Sequence, residues 1–250
     1  MLMASYGDET HIKRKKRYSP PKNIGTVELR DLIKDTGRTG VEDRQFNLLR
    51  DGNEKDGKDV FIYFAGNINL LNRHAVSIVG SRNVSQEGLK RAYRLAKELS
   101  AAGVTVMSGL AKGVDTAAHT GAIAANGKTA AIIGTPLNKA YPAENAELQT
   151  EIYTDHLLIS PFAEGTTVFK GNFPKRNRVM ALLSDATVIV EASDTSGTLH
   201  QASECHKLGR WLFIMKSVVN NPSLTWPKKF LNNNKTRILS DTDEILDALS

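Results

Sequence analysis

Four glycine-bearing segments hold the residue types that bind phosphate: Gly80-Ser81-Arg82, Ser108-Gly109-Leu110-Ala111-Lys112-Gly113, Gly134-Thr135-Pro136, and the run from Glu191 to Thr198 that ends in Ser196-Gly197-Thr198. Backbone amides at a helix start attract anions, and Arg82 and Lys112 add full charges. One such turn needs no ligand to explain its glycine, because tight strand-to-helix connections use glycine anyway. Four of them, two with a cation, predict an anion site along one edge. A second cluster, Gly171-Asn172-Phe173-Pro174-Lys175-Arg176-Asn177-Arg178, sets three cations and two asparagines beside an aromatic ring. A phosphate backbone with an unstacked base would need that set. Lys175 and Arg176 equally suit a solvated helix face.

Familiar nucleotide motifs are absent. Gly80-Ser81-Arg82 is not the G-x-G-x-x-G fingerprint of dinucleotide redox folds, and Gly109–Gly113 lacks the spacing of a P-loop. Cys205, the single cysteine, excludes an intrachain disulfide. It sits beside His206 on one expected helix with no second ligand cluster, so no metal site is expected. His119 and Asp115 lie four apart on one helical face, which suits a packed histidine and a capping carboxylate. No catalytic set assembles.

The elements that must position these turns show in the apolar pattern. Val60–Phe64, Ala75–Val79, Val104–Met107, Ala130–Ile133, Leu157–Ile159, Ala186–Val190 and Trp211–Met215 are nearly continuous apolar runs, as strands covered on both faces are. Between them Ser85 is placed to cap a helix whose Leu89, Ala92, Tyr93, Ala96 and Leu99 share one stripe. Further helices are expected over Val114–Asn126, Glu144–Tyr153, Pro174–Leu183, Thr198–Leu208 and Asp241–Leu249. Regular strand–helix alternation implies right-handed crossovers. The expected fold is α/β: an extended Rossmann-like, mostly parallel sheet with helices on both faces.

The chain has 250 residues, 40% of them apolar, ample for a buried core. No run approaches the ~18 apolar residues that cross a bilayer, and a soluble, cytoplasmic protein is expected. Residues 1–22 hold six basic and two acidic groups, so they carry +4 of the formal +6. A basic tail on a nearly neutral body invites non-specific attraction to nucleic acid. Residues 1–58 read as a polar segment, largely disordered with short helices (one near Val27–Ile33) and a flexible linker over Asp51–Lys58. Residues 59–250 read as the folded domain.

In order and spacing, several stretches resemble the Smf/DprA family of DNA-processing proteins. They are Val76–Arg82, Ser108–Asp115 with Ala118-His119, Tyr141–Asn145, Asn172–Arg178, Val190-Glu191-Ala192 and Ser196-Gly197-Thr198. The resemblance runs from about Phe61 to the end of the chain and is to a shortened member carrying the Rossmann-like domain alone. It implies a non-catalytic, cofactor-free homodimer that binds single-stranded DNA and helps load a RecA-type recombinase during natural transformation. By motif, Gly80, Ser81 and Arg82 would hold a phosphate, with Gly109, Lys112, Ser196, Gly197 and Thr198 along the same edge. Lys175, Arg176, Asn177 and Arg178 would track the backbone, and Phe173 would stack on a base.

Two other readings compete. Phosphoribohydrolases of the wider superfamily place an acid four residues after the glycine of the Gly-Thr turn, where this chain has Gln201, and an amide cannot transfer the proton. A nucleotide-sensing module would use the same edge for one phosphate instead of a chain of them.

Overall fold

The computed structural model describes residues 18–38, 41, 46–47, 49 and 59–250. The basic run 13–17 and the linker expected over 51–58 lie outside the described residues.

Among these, nine strands form one sheet in the order β1-β2-β6-β5-β4-β3-β7-β8-β9. The strands are β1 Gly25–Glu28, β2 Phe61–Gly66, β3 Ala75–Val79, β4 Thr105–Ser108, β5 Thr129–Ile132, β6 Leu157–Ser160, β7 Ala186–Ile189, β8 Trp211–Met215 and β9 Thr236–Leu239. From β6 across to β9 every pairing is parallel, while β2 runs antiparallel to both β1 and β6. The fold is α/β with a mostly parallel, Rossmann-like sheet, as the apolar runs predict. Every residue of β3, β4, β5, β6 and β7 is buried, which is why these runs show no polar alternation.

Helices cover both faces. On one lie α2 (Gln86–Ala101), α3 (Val114–Ala124), α4 (Ala146–Asp155) and α9 (Asp243–Leu249). The other carries α1 (Leu29–Asp35), α5 (Asn172–Leu182), α6 (Thr198–Lys207) and the short α7 (Lys216–Val219), with α8 (Lys228–Leu231) beyond it. In-register neighbours such as Ala130, Leu157 and Met107 face the α5 side, and Val106 and Ala131 face the other, as the period of two requires. No helix among the described residues is long and apolar enough to cross a membrane.

The boundary expected at Asp59 needs correcting. Strand β1 pairs with β2 over four residues, and Leu29, Leu32 and Ile33 of α1 enter the main core. Arg38 then donates to the carbonyls of Leu71 and Arg73 and meets Asp185 at 3.1 Å. This stretch is polar overall, but its few apolar residues are concentrated on one side of a single helical turn pair. The α2 stripe also differs in one place: Leu95 is buried, and Tyr93 is left exposed.

Candidate functional site

The chain order along the sheet reverses beside β3. From β3 the chain winds through β4 and β5 to β6, then returns to lay β7 on the other side of β3. Helices α2 and α6, which follow β3 and β7, therefore depart to opposite faces and leave a crevice beyond the carboxyl ends of the two strands. The turns after them are stitched together. Ser81 N–H donates to the Glu191 carbonyl at 2.7 Å, and Val114 N–H donates to the Ser81 carbonyl at 3.3 Å. Gly113, at φ +78°, lets these loops close; a Cβ there would lie 2.5 Å from the Ser81 carbonyl oxygen.

The crevice holds a cleft of about 320 Å³, walled by Gly80, Ser81, Arg82, Asp115, Ser196 and Thr198, with Phe173, Arg176, Asn177 and Met180 facing in from α5. The N-terminus of α6 opens onto it, and Ser196 Oγ accepts from Thr198 N–H at 3.2 Å while Asn177 reaches the Gly197 carbonyl at 3.5 Å. The Arg82 guanidinium lies 5.5 Å over the Phe173 ring. Phe173 also meets the ring of Tyr141 at 5.6 Å, tilted 45°. Cation and paired rings together form a platform for something anionic and flat. Lys112 reaches Glu144 at 2.7 Å with both side chains about half exposed; such a pair is weak and easily exchanged.

Arg176 has a different place from the one expected. It is 5% exposed, and its Nη1 donates to the carbonyls of Gly109 and Ile132 at 2.5 and 2.7 Å. A Cβ on Gly109 would fall 1.9 Å from that nitrogen, so the group approaching Gly109 is Arg176. At Gly134 it is likewise the Phe173 ring, 2.8 Å from the position of an added Cβ. Burial works to lower the Arg176 pKa and to raise that of Asp115, and each charge partly offsets the shift of the other. Arg178 is turned between α5 and α6, paired with Glu204 at 3.1 Å and only 17% exposed. Lys175 is half-buried, one helical turn before Arg178. At 100° per residue Lys175 and Arg178, three apart, share a side that the buried Arg176 does not, so the run 175–178 is not a continuous track through Arg176.

The remaining expected residues are placed plainly. Asp115 Oδ2 accepts from Ala111 N–H at 3.2 Å. His119 packs beneath the sheet against Thr129. Cys205 is buried, its thiol pushed up to about 12, and no group among the described residues could hold a metal ion. Glu191 holds neither Arg82 nor Lys112. Its two oxygens accept from Ser85 N–H and Oγ at 2.9 and 2.7 Å, fixing the start of α2. Leu110 sits at φ +59° although buried, a strained backbone at the crevice rim whose carbonyl accepts from Asn145 at 2.9 Å.

A model of the family described as DNA recombination-mediator protein A matches residues 47–250. The chain belongs to that family. Among curated members, the DNA processing protein DprA of Streptococcus pneumoniae is 40% identical over 156 residues, covering 62% of this chain and 55% of that protein. Protein Smf of Synechocystis is 34% identical over 70% of this chain and 44% of its own length, and the Bacillus subtilis DprA is 31% identical over 73% and 62%. The chain thus spans about half the length of the DprA and Smf proteins it matches. The X-ray structure of the Streptococcus pneumoniae DprA superposes with a TM-score of 0.73 at 29% identity, covering 90% of this chain and 74% of that one. Helicobacter pylori DprA, described for its single-stranded DNA binding mode, superposes at 0.70 over 90% and 95%; at 24% identity this likeness carries the fold alone.

Within this DprA-type crevice, Tyr141 and Asn83 are among the lining residues that sequence reasoning left unassigned. Tyr141 was legible only as part of a shared motif, since nothing local says that it meets Phe173 across 32 positions. Asn83, which also lines the cleft, gives no signal beyond following Arg82.

Proposed function

We propose that this chain binds single-stranded DNA at the β3–β7 crevice and does no chemistry on it. The observation that carries the reading is Arg82 over Phe173, whose ring also meets Tyr141, set beside the Gly80-Ser81 turn and the start of α6. A cation and backbone amides serve the phosphates, and the rings serve the face of any base, so sequence preference is weak. Gln201, buried with Nε2 3.3 Å from Thr187 Oγ1, is an amide where the related hydrolases need an acid, which supports a binding role. The single-stranded DNA binding ascribed to the Helicobacter pylori relative agrees with this reading. In the cell we propose a cytoplasmic homodimer that holds incoming single strands for a RecA-type recombinase during natural transformation.

The test is fluorescence anisotropy of the full chain and of Arg82→Ala with labelled oligothymidine, a duplex of equal length and a mononucleotide competitor, across a salt series. Single strand bound over duplex, weakened by Arg82→Ala, is the expected result. Equal binding by both proteins would place any DNA affinity outside the crevice. Protection by the mononucleotide alone would make the 320 Å³ cleft a nucleotide sensor. Light scattering at two concentrations tests the homodimer, which a constant monomer mass would reject.

A further inference from the structure

Helix α2 leaves the crevice with one aromatic residue that the fold does not use. Tyr93 is 39% exposed in the middle of a 16-residue helix. It looks onto an open groove of about 1170 Å³ between α2 and α3, floored by Val84, Leu89 and Ala117. The backbones of the two helices approach closely here: a Cβ added to Gly121 would lie 2.3 Å from the Tyr93 carbonyl oxygen. The groove starts where the crevice ends. Arg82 and Asn83 line both it and the 320 Å³ cleft, and Arg82 and Lys112 line both it and the recess beside Tyr141 and Phe173. Arg82 is therefore the shared wall of three adjoining spaces.

The charge of this face fits one class of occupant. Helix α2 carries Lys90, Arg91, Arg94 and Lys97 against Glu87 and Glu98. Among the described residues, Lys90 and Lys112 at the groove pair with exposed carboxylates, Glu87 at 2.8 Å and Glu144 at 2.7 Å. Such pairs contribute little and yield to a phosphate. Glu191 also borders the groove, but its carboxylate is committed to Ser85 and lies 3.8 Å from Arg91. An apolar floor with an exposed ring and cations at the rim takes bases and phosphates in alternation.

We infer that the α2–α3 groove is a second subsite, in which the strand continues past Arg82 and stacks a base on Tyr93. The inference rests on the single-strand reading above. Tyr93 lies eight residues beyond Ser85, roughly 12 Å along the helix axis. That is about three or four stacked nucleotides, fewer if the strand is extended. A short oligonucleotide can fill the crevice without reaching it.

The experiment compares labelled oligothymidines of about four and about ten nucleotides on the full wild-type chain, Tyr93→Ala, Tyr93→Phe and Arg82→Ala. Tyr93→Ala is expected to weaken the longer strand about fivefold, the lower end for loss of one base–aromatic stack, and to leave the shorter one unchanged. Tyr93→Phe should keep the wild-type preference for length. Arg82→Ala should weaken both strands. If Tyr93→Ala binds the longer strand like wild type while Arg82→Ala is impaired, the groove is off the path and only this inference falls. Equal weakening of both lengths by Tyr93→Ala would mean a disturbed turn and would also overturn it. A changed mass in light scattering, with the length preference intact, would make the groove a contact between copies. Failure of the wild-type chain to bind either strand would remove the underlying reading as well. Alanine suits a helix interior, so a matched melting temperature guards against misfolding.

Discussion

Arg82 and Arg176 border the same cleft and do opposite work. Arg82 is exposed, its guanidinium over the Phe173 ring and directed to the spaces a ligand would fill. Arg176 is enclosed, and its charge is spent on the carbonyls of Gly109 and Ile132. Arg82→Ala should leave stability within about 0.5 kcal/mol of wild type and lower the salt slope of single-strand binding by about 0.7. Arg176→Leu should cost about 3 kcal/mol, because it leaves two carbonyls without a donor and Asp115 buried without its counter-charge. Urea unfolding of the two variants separates the roles; a stable Arg176→Leu would refute the strut. His119 gives a second residue-scale test. Thr129 Oγ1 donates to the Val106 carbonyl at 2.8 Å, so it accepts from His119 Nδ1–H at 2.7 Å, and the buried ring is held neutral with its pKa lowered to about 3. The unfolded chain therefore binds one more proton between its ordinary 6.5 and about 3, so stability falls with pH across that window. Asp115, shifted upward, acts in the opposite sense above 3.8, which is why a variant comparison is needed. His119→Asn keeps an N–H for Thr129 and removes the titration. Between pH 7 and pH 5 the wild type should lose about 2 kcal/mol more than this variant.

At the scale of elements, strand β1 and the docking of β1–α1 onto the core are the least expected part of the fold and the easiest to test. A chain beginning at Asp59 would lose Leu29, Leu32 and Ile33 from the core and bare the buried Ile62 and Ala65 along an unpaired β2 edge. At about 1.5–3 kcal/mol per buried side chain, the loss is roughly 5 kcal/mol or more, comparable with the whole stability of a domain. Such a chain is expected to unfold or aggregate, and a chain beginning at Tyr18 to melt as the full protein does. Equal melting of all three would detach β1–α1 from the core. The short helix expected near Val27–Ile33 corresponds to α1, but strand β1 escaped the sequence pattern because Gly25-Thr26-Val27-Glu28 is four residues long, half exposed and paired only with a distant strand. Edge strand β9, Thr236–Leu239, escaped for the same reason. The inner strands were legible because burial on both faces leaves an unbroken apolar run. Ser85 was legible because a cap is a local signal, and its Oγ does accept from Gly88 N–H at 3.0 Å. Within the site the four turns could be read one by one. What each glycine admits could not, because the groups that approach Gly109 and Gly134 come from α5, far along the chain.

For the whole molecule the question is how the crevice and the basic tail share the work. A chain beginning at Tyr18 sheds five cations and two acids, halving the formal charge from +6 to +3. It keeps the crevice, because Tyr18 itself donates to the Leu137 carbonyl at 2.8 Å and accepts from Gln149 at the same distance, closing the first described residue onto the body. Phosphate contacts from a charged tail add affinity without regard to strandedness, and they speed encounter. Stacking at Phe173 needs an unpaired base, which a duplex does not offer. Removing residues 1–17 should therefore slow association and flatten the salt dependence, by at most roughly 3.5 in slope if all five cations met phosphates of a single strand. The ratio of single-strand to duplex affinity should rise, because the loss falls mainly on the non-discriminating term. Stopped-flow anisotropy of the two chains across a salt series reads rate, slope and ratio together. A shortened chain that loses the ratio along with the affinity would put discrimination in the tail and leave the crevice without its assigned ligand.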